Sequence, residues 1–156
     1  MKYIYALCLV VVAFWGCQDV KIGCLDVSNA EYMPDTMLVR KELGVIQDDW
    51  DIIRQDKKRM KAKAPWVTTQ IQGVIGTAPI QYSLYEVTAT DGGDAEIFKK
   101  ELKVRGGGIL EVPFLPESPN GRYTVSLKVE AGEYSAIIED AFTVNKLDEE
   151  RNRLVE

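Results

Sequence analysis

The chain has 156 residues, a length that suits one domain rather than two of ordinary size. Its 46% hydrophobic and 28% charged residues form a globular balance. A net charge of −5 leaves no broad basic face to neutralise phosphates, which argues against nucleic acid as a partner. Histidine is absent, which removes the commonest general base and the commonest metal ligand.

The first element is an uncharged run. Lys2 gives a positive start, and residues 3–15 (YIYALCLVVVAFW) follow without a charge. That length fits the apolar region of a signal peptide and falls short of the roughly 20 residues a spanning helix needs. The run ends in Phe14-Trp15-Gly16-Cys17, with a small residue just before the cysteine where cleavage is expected. Residues 1–16 therefore read as a lipoprotein signal peptide, and Cys17 as the lipidation site and first residue of the mature chain. A plain signal peptide with Cys17 an ordinary residue, or an apolar helix buried in a cytosolic protein, are the competing readings. Cys8 would leave with the signal and Cys17 would carry lipid. Cys24 would then be a lone thiol, so no intrachain disulfide is expected.

Residues 17–66 read as a polar leader. Short apolar stretches at residues 22–27 and 37–39 could pair as strands. Residues 48–64 (DDWDIIRQDKKRMKAKA) predict a helix, capped by Asp48 or Asp49, acidic at its start and basic at its end. Trp50, Ile53, Lys57 and Met60 share one face, so its apolar stripe is thin, and Pro65 stops it.

Residues 67–145 predict an all-β domain. The strands expected are residues 68–75, 80–89, 96–104, 109–115, 123–129 and 134–144. Turn residues separate them: Pro79, Asp91-Gly92-Gly93-Asp94, Gly106-Gly107-Gly108 and residues 116–121. The alternation is cleanest at Tyr123, Val125, Leu127 and Val129, which face one way, against Thr124, Ser126 and Lys128. Strands at such short intervals predict an antiparallel sandwich, completed by one or two strands from the leader. Residues 146–156 are a charged tail, expected to be a frayed helix or disordered.

Several clusters invite a chemical reading, and each has a plainer one. Arg105-Gly106-Gly107-Gly108 lacks the Lys-Ser/Thr of a phosphate loop and reads as a tight turn. Asp91, Asp94 and Glu96 offer too few oxygens for calcium and read as a turn. The base run Arg54, Lys57, Lys58, Arg59, Lys61 and Lys63 could meet anionic lipid or a polyanion, although a solvated face with internal ion pairs is the simpler account. Trp50, Trp66, Tyr82 and Tyr85 could stack on sugar rings or pack in the core. Tyr82 and Tyr85 have opposite strand parity, so one of them should face inward. No residue stands in a nucleophile or paired-carboxylate motif, so no catalytic residue, metal or cofactor is assigned and a non-enzymatic role is expected.

The box FWGC resembles the loosened lipobox of Bacteroidetes lipoproteins. Phe14 stands where Leu is usual, and Trp15 where a smaller residue is usual. The segment Asn120-Gly121-Arg122-Tyr123-Thr124-Val125-Ser126-Leu127 resembles the penultimate strand of immunoglobulin-like and PKD-like domains, with Tyr123 at the place of their corner tyrosine. Together these are similar to the small sandwich lipoproteins that accompany starch-utilisation-type (SusCD) importers. The resemblance implies an immunoglobulin-like β-sandwich held on the outer membrane, at the cell surface, by lipid on Cys17. The implied role is that of an accessory or binding subunit with a protein partner. The family's surface-export signal is an acidic cluster after the cysteine, where this chain has only Asp19 close by. A glycan-binding module is the alternative, with Trp50 and Trp66 as platform candidates; it requires both to be exposed and coplanar.

Overall fold

The computed structural model describes residues 23–44 and 49–147. Residues 1–16, expected to form a signal peptide, and Cys17 lie outside the described residues. In chain order the elements are β1 (Leu25–Asp26), β2 (Thr36–Arg40), α1 (Trp50–Ala62), β3 (Trp66–Val67), β4 (Ile75–Gly76), β5 (Ile80–Thr90), α2 (Ala95–Glu101), β6 (Lys103–Arg105), a 3-10 turn at Gly106–Gly108, β7 (Ile109–Val112), β8 (Gly121–Ala131) and β9 (Tyr134–Leu147). A four-stranded sheet runs β2-β9-β8-β5, a three-stranded sheet runs β3-β7-β6, and β1 pairs with β4. All pairings are antiparallel except β2 with β9. The fold is the all-β, sandwich-like architecture that the strand pattern predicts.

The core is built from both larger sheets. Tyr123, Val125, Leu127 and Val129 of β8 are fully buried, and they meet Val39, Trp66, Leu110, Val112, Phe142 and Val144 in one cluster. Burying each such side chain contributes about 1.5–3 kcal/mol. The alternation in β8 has this cause: its inward residues pack in one core with Trp66, Leu110 and Val112 of the three-stranded sheet.

Tyr123 fixes the corner that the sequence suggests. Its hydroxyl donates to Pro119 O at 2.5 Å and accepts from Asp94 N at 3.3 Å. Its ring stacks on Phe98, with centroids 4.2 Å apart. Tyr123→Phe is expected to cost about 1–1.5 kcal/mol in urea melts, because Asp94 N–H and Pro119 O both lose their partner while the ring stays packed.

Three expectations are corrected. Residues 68–75 do not form a strand. Thr68 N–H donates to Leu110 O, Ile71 N–H to Gly107 O, and Gln72 bridges to Glu31, so these bonds go to three separate neighbours and form no ladder. Gly73 turns the segment at φ +74°, and a Cβ there would fall 1.8 Å from Asn29 O.

Residues 96–101 are helical instead, and of the strand expected at 96–104 only Lys103 and Val104 are extended, as the start of β6. Only Asp91-Gly92 makes the turn, with φ of 57° and 90°. Asp94 instead caps α2, accepting from Glu96 N at 3.0 Å and Ile97 N at 3.1 Å, and α2 buries Phe98 over the sheet.

From the leader, β2 adds to the main sheet beside β9, in line with the one or two leader strands expected to complete the sandwich. The tail does not begin at residue 146: Lys146 belongs to β9. Its ammonium is buried and donates to Pro116 O at 2.7 Å and to Ser118 O. Residues 148–156 lie outside the described residues.

The helix forms close to its expected bounds. Asp49 caps α1, accepting from Asp51 N and Ile52 N. Lys63 ends it in the left-handed region at φ 48°, ahead of Pro65.

Candidate functional site

Two surfaces stand out, the clamped helix α1 and a groove beside β9. The inner side of α1 is held by charge. Asp56 is buried at 1% exposure, and Arg40 of β2 grips it with both guanidinium nitrogens, Nη1 at 3.0 Å from Oδ2 and Nη2 on Oδ1. Gly44 N–H adds a third donor at 3.0 Å to Oδ2. One turn on, the Arg59 guanidinium lies 3.8 Å above the Trp66 ring and donates to Pro65 O at 2.6 Å. Burial there lowers the Arg59 pKa from its ordinary value, with Asp56 opposing the shift and Arg40 reinforcing it.

These contacts decide the aromatic candidates. Trp66 is 6% exposed, sits in the core, and donates from Nε1 to Phe114 O at 3.3 Å. Trp50 is 72% exposed. The exposed, coplanar pair that a glycan platform would need is therefore not formed. Tyr82 packs against the core, where burial raises its phenol pKa. Tyr85 is extruded at the bulge where the β5–β8 register shifts between Leu84 and Glu86, which explains why the two tyrosines part company.

The groove lies between residues 30–35 and residues 138–141 and encloses about 450 Å³, open to solvent. It exists because β9 bulges: its register on β8 jumps from Ile138↔Leu127 to Phe142↔Val125. Asp140, at φ 46°, donates its N–H to Ser126 Oγ at 3.0 Å in that bulge. The facing wall is irregular but pinned. Glu31 bridges to Gln72, Tyr32 OH donates to Gly108 O, Thr69 Oγ1 donates to Met33 O at 3.2 Å, and Asp35 O accepts from Thr143 N at 2.9 Å. Tyr32 is buried edge-on against Phe142, and burial pushes its phenol well above the ordinary value.

Glu31, Asp35, Glu139 and Asp140 give the groove an acidic rim, and Met33, at 63% exposure, adds an apolar knob. Such a recess can hold a basic or polar chain segment by contact. The sequence does not announce it, because its walls are about a hundred residues apart and are brought together by tertiary pairing such as β2 with β9.

The remaining sequence candidates are occupied by structure. Asp94 is spent on its cap, and Gly106–Gly108 is the tight turn joining β6 to β7. Among the described residues no group of three or more Cys, Asp or Glu side chains is placed to hold a metal, and no helix is long and apolar enough to cross a membrane. Comparison with protein-family models, curated proteins and solved structures finds no match to the chain.

Proposed function

We propose that the chain is a lipid-anchored, non-enzymatic binding protein of the outer membrane, an accessory subunit of a SusCD-type nutrient-uptake complex that works by contact with a protein partner. The observation that carries the reading is the uncharged run of residues 3–15 ending in Gly16-Cys17. Acylation of Cys17 with several chains would give stable anchoring where one chain would be reversible. The sandwich then serves as a rigid body presented above the membrane, and the groove at residues 30–35 and 138–141, with both walls pinned, offers a preformed contact surface.

Cys17→Ser is expected to abolish lipidation and cleavage by the lipoprotein signal peptidase, because the acyl acceptor is gone. Mass spectrometry of the mature N-terminus reads it directly: unmodified Cys17 in the wild type, or a cut elsewhere, overturns the anchor. The partner half is tested by affinity purification from native membranes. Co-purification with a large outer-membrane importer, and no retention on polysaccharide gels, is the expected result. Release of reducing ends or amines from a substrate panel, well above buffer, would overturn the non-enzymatic reading.

A further inference from the structure

The basic run and the outward tryptophan of α1 belong to one surface. A helix turns about 100° per residue. Taking Trp50 as zero, Lys57 lies at about −20°, Lys61 at about 20°, Arg54 at about 40° and Lys58 at about 80°. Trp50 and these four cations therefore occupy an arc of roughly 100°. All five are exposed. The buried Asp56 and the half-buried Ile52 and Arg59 fall on the other side, where Arg40 and Trp66 engage the helix.

The stripe has little internal neutralisation. Among the described residues its one ion pair is Arg54 with Asp51, at 3.3 Å and well exposed, so it is a weak competitor. Lys57, Lys58 and Lys61 make none. The concentration of positive charge stands out in a chain whose net charge is −5.

We propose that this face of α1 docks on an anionic lipid surface, the lysines and Arg54 meeting head-group phosphates while the Trp50 indole settles at head-group depth. Charge complementarity selects the surface, since clustered Lys and Arg next to a membrane are drawn to its negative potential. The indole selects lipid over a dissolved polyanion, because an amphipathic ring gains from a boundary that is wet on one side and apolar on the other. The face carries no broad apolar stripe, so the helix lies against the surface instead of sinking into it. The clamp through Asp56 and Arg59 makes docking orient the whole sandwich, because α1 cannot roll without breaking it. The inference rests on the anchored reading above, in which the tether holds the sandwich near the bilayer and raises its effective concentration there.

The test uses the full chain reconstituted in vesicles of phosphatidylcholine, or of phosphatidylcholine with about 30 mol% phosphatidylglycerol, with bromine near the head-group end of the acyl chains. Trp50 quenching is obtained by difference against Trp50→Phe, so that Trp15 and Trp66 cancel. The chain is used unprocessed, so the apolar residues 3–15 are retained and are expected to associate with either vesicle independently of acylation at Cys17. Failure of the anchor reading therefore appears in the N-terminal mass and not in this signal. The expected result is strong quenching in the anionic vesicles, several-fold weaker quenching in the neutral ones, and loss of the difference at about 0.5 M salt. Joint Arg54→Gln, Lys57→Gln, Lys58→Gln and Lys61→Gln should abolish the difference, while joint Lys57→Arg, Lys58→Arg and Lys61→Arg should keep it. All four positions are exposed, so the fold should survive, as thermal melts would verify. Equal quenching in both vesicles, none in either, or protection of Trp50 by heparin or a soluble polysaccharide in place of vesicles overturns the proposal.

Discussion

Leu127→Ala is expected to lower the stability of the domain by about 3 kcal/mol, while Lys128→Ala, one residue on, should change it by less than about 0.5 kcal/mol. Leu127 is fully buried at the centre of β8, paired with Leu84 on one side and Ile138 on the other. Truncation leaves a cavity between two strands whose backbones are fixed by their ladders, so the site cannot collapse to fill it. Lys128 faces outward and pairs with Glu130 at 2.7 Å, both side chains about 40% exposed, and a solvated pair of that kind is worth little. Urea melts of the two variants read the difference. Equal effects would mean that the face assignment of β8 is wrong.

Asp56→Ala is expected to cost about 3 kcal/mol, far more than an acid-to-alanine change on an exposed helix face. Removing the carboxylate strips Arg40 of its counter-charge in a site where the guanidinium is only 14% exposed, and it leaves Gly44 N–H without its acceptor. The pair itself need not be a net gain over apolar packing, since taking two charges out of water is costly. Replacing both partners, Arg40→Met with Asp56→Leu, should therefore cost less than Asp56→Ala alone. Asp51→Ala serves as the control: it is exposed and should change stability by less than about 0.5 kcal/mol. Denaturant melts of the set decide the matter; a double variant weaker than Asp56→Ala would contradict the account.

Where the sequence was informative, local pattern and tertiary demand agreed. β8 alternates because its inward residues pack in the core, and those four residues were readable with no knowledge of their neighbours. The helix at residues 50–62 announced itself by Asp49 before it and Pro65 after it. Where reading failed, one residue type served two purposes. Asp94 looked like part of a hairpin turn because Asp91-Gly92 stands just before it. The acid at Glu96 and the bases at Lys99 and Lys100 were the available signs of a short capped helix. Residues 68–75 carry β-favouring residues, yet their hydrogen bonds scatter among three partners, which composition cannot reveal.

The two surfaces differ in the same way. Trp50 and the bases are visible as a run, but which of them face outward depends on Asp56 and Arg59, which the fold turns inward. The groove was invisible because it arises from a bulge in β9 meeting a segment that lies about a hundred residues earlier.

The position of β9 has a consequence for how the protein is made. It is the last strand described, yet it sits inside the main sheet, hydrogen-bonded to β8 on one side and to β2, from near the start of the fold, on the other. Until residues 134–147 have been synthesised, β2 has no strand to join, and the outer flank of β8 lies bare. Contacts so distant in sequence come late and make folding slow. A nascent chain of this design cannot close its hydrophobic interior until β9 has emerged.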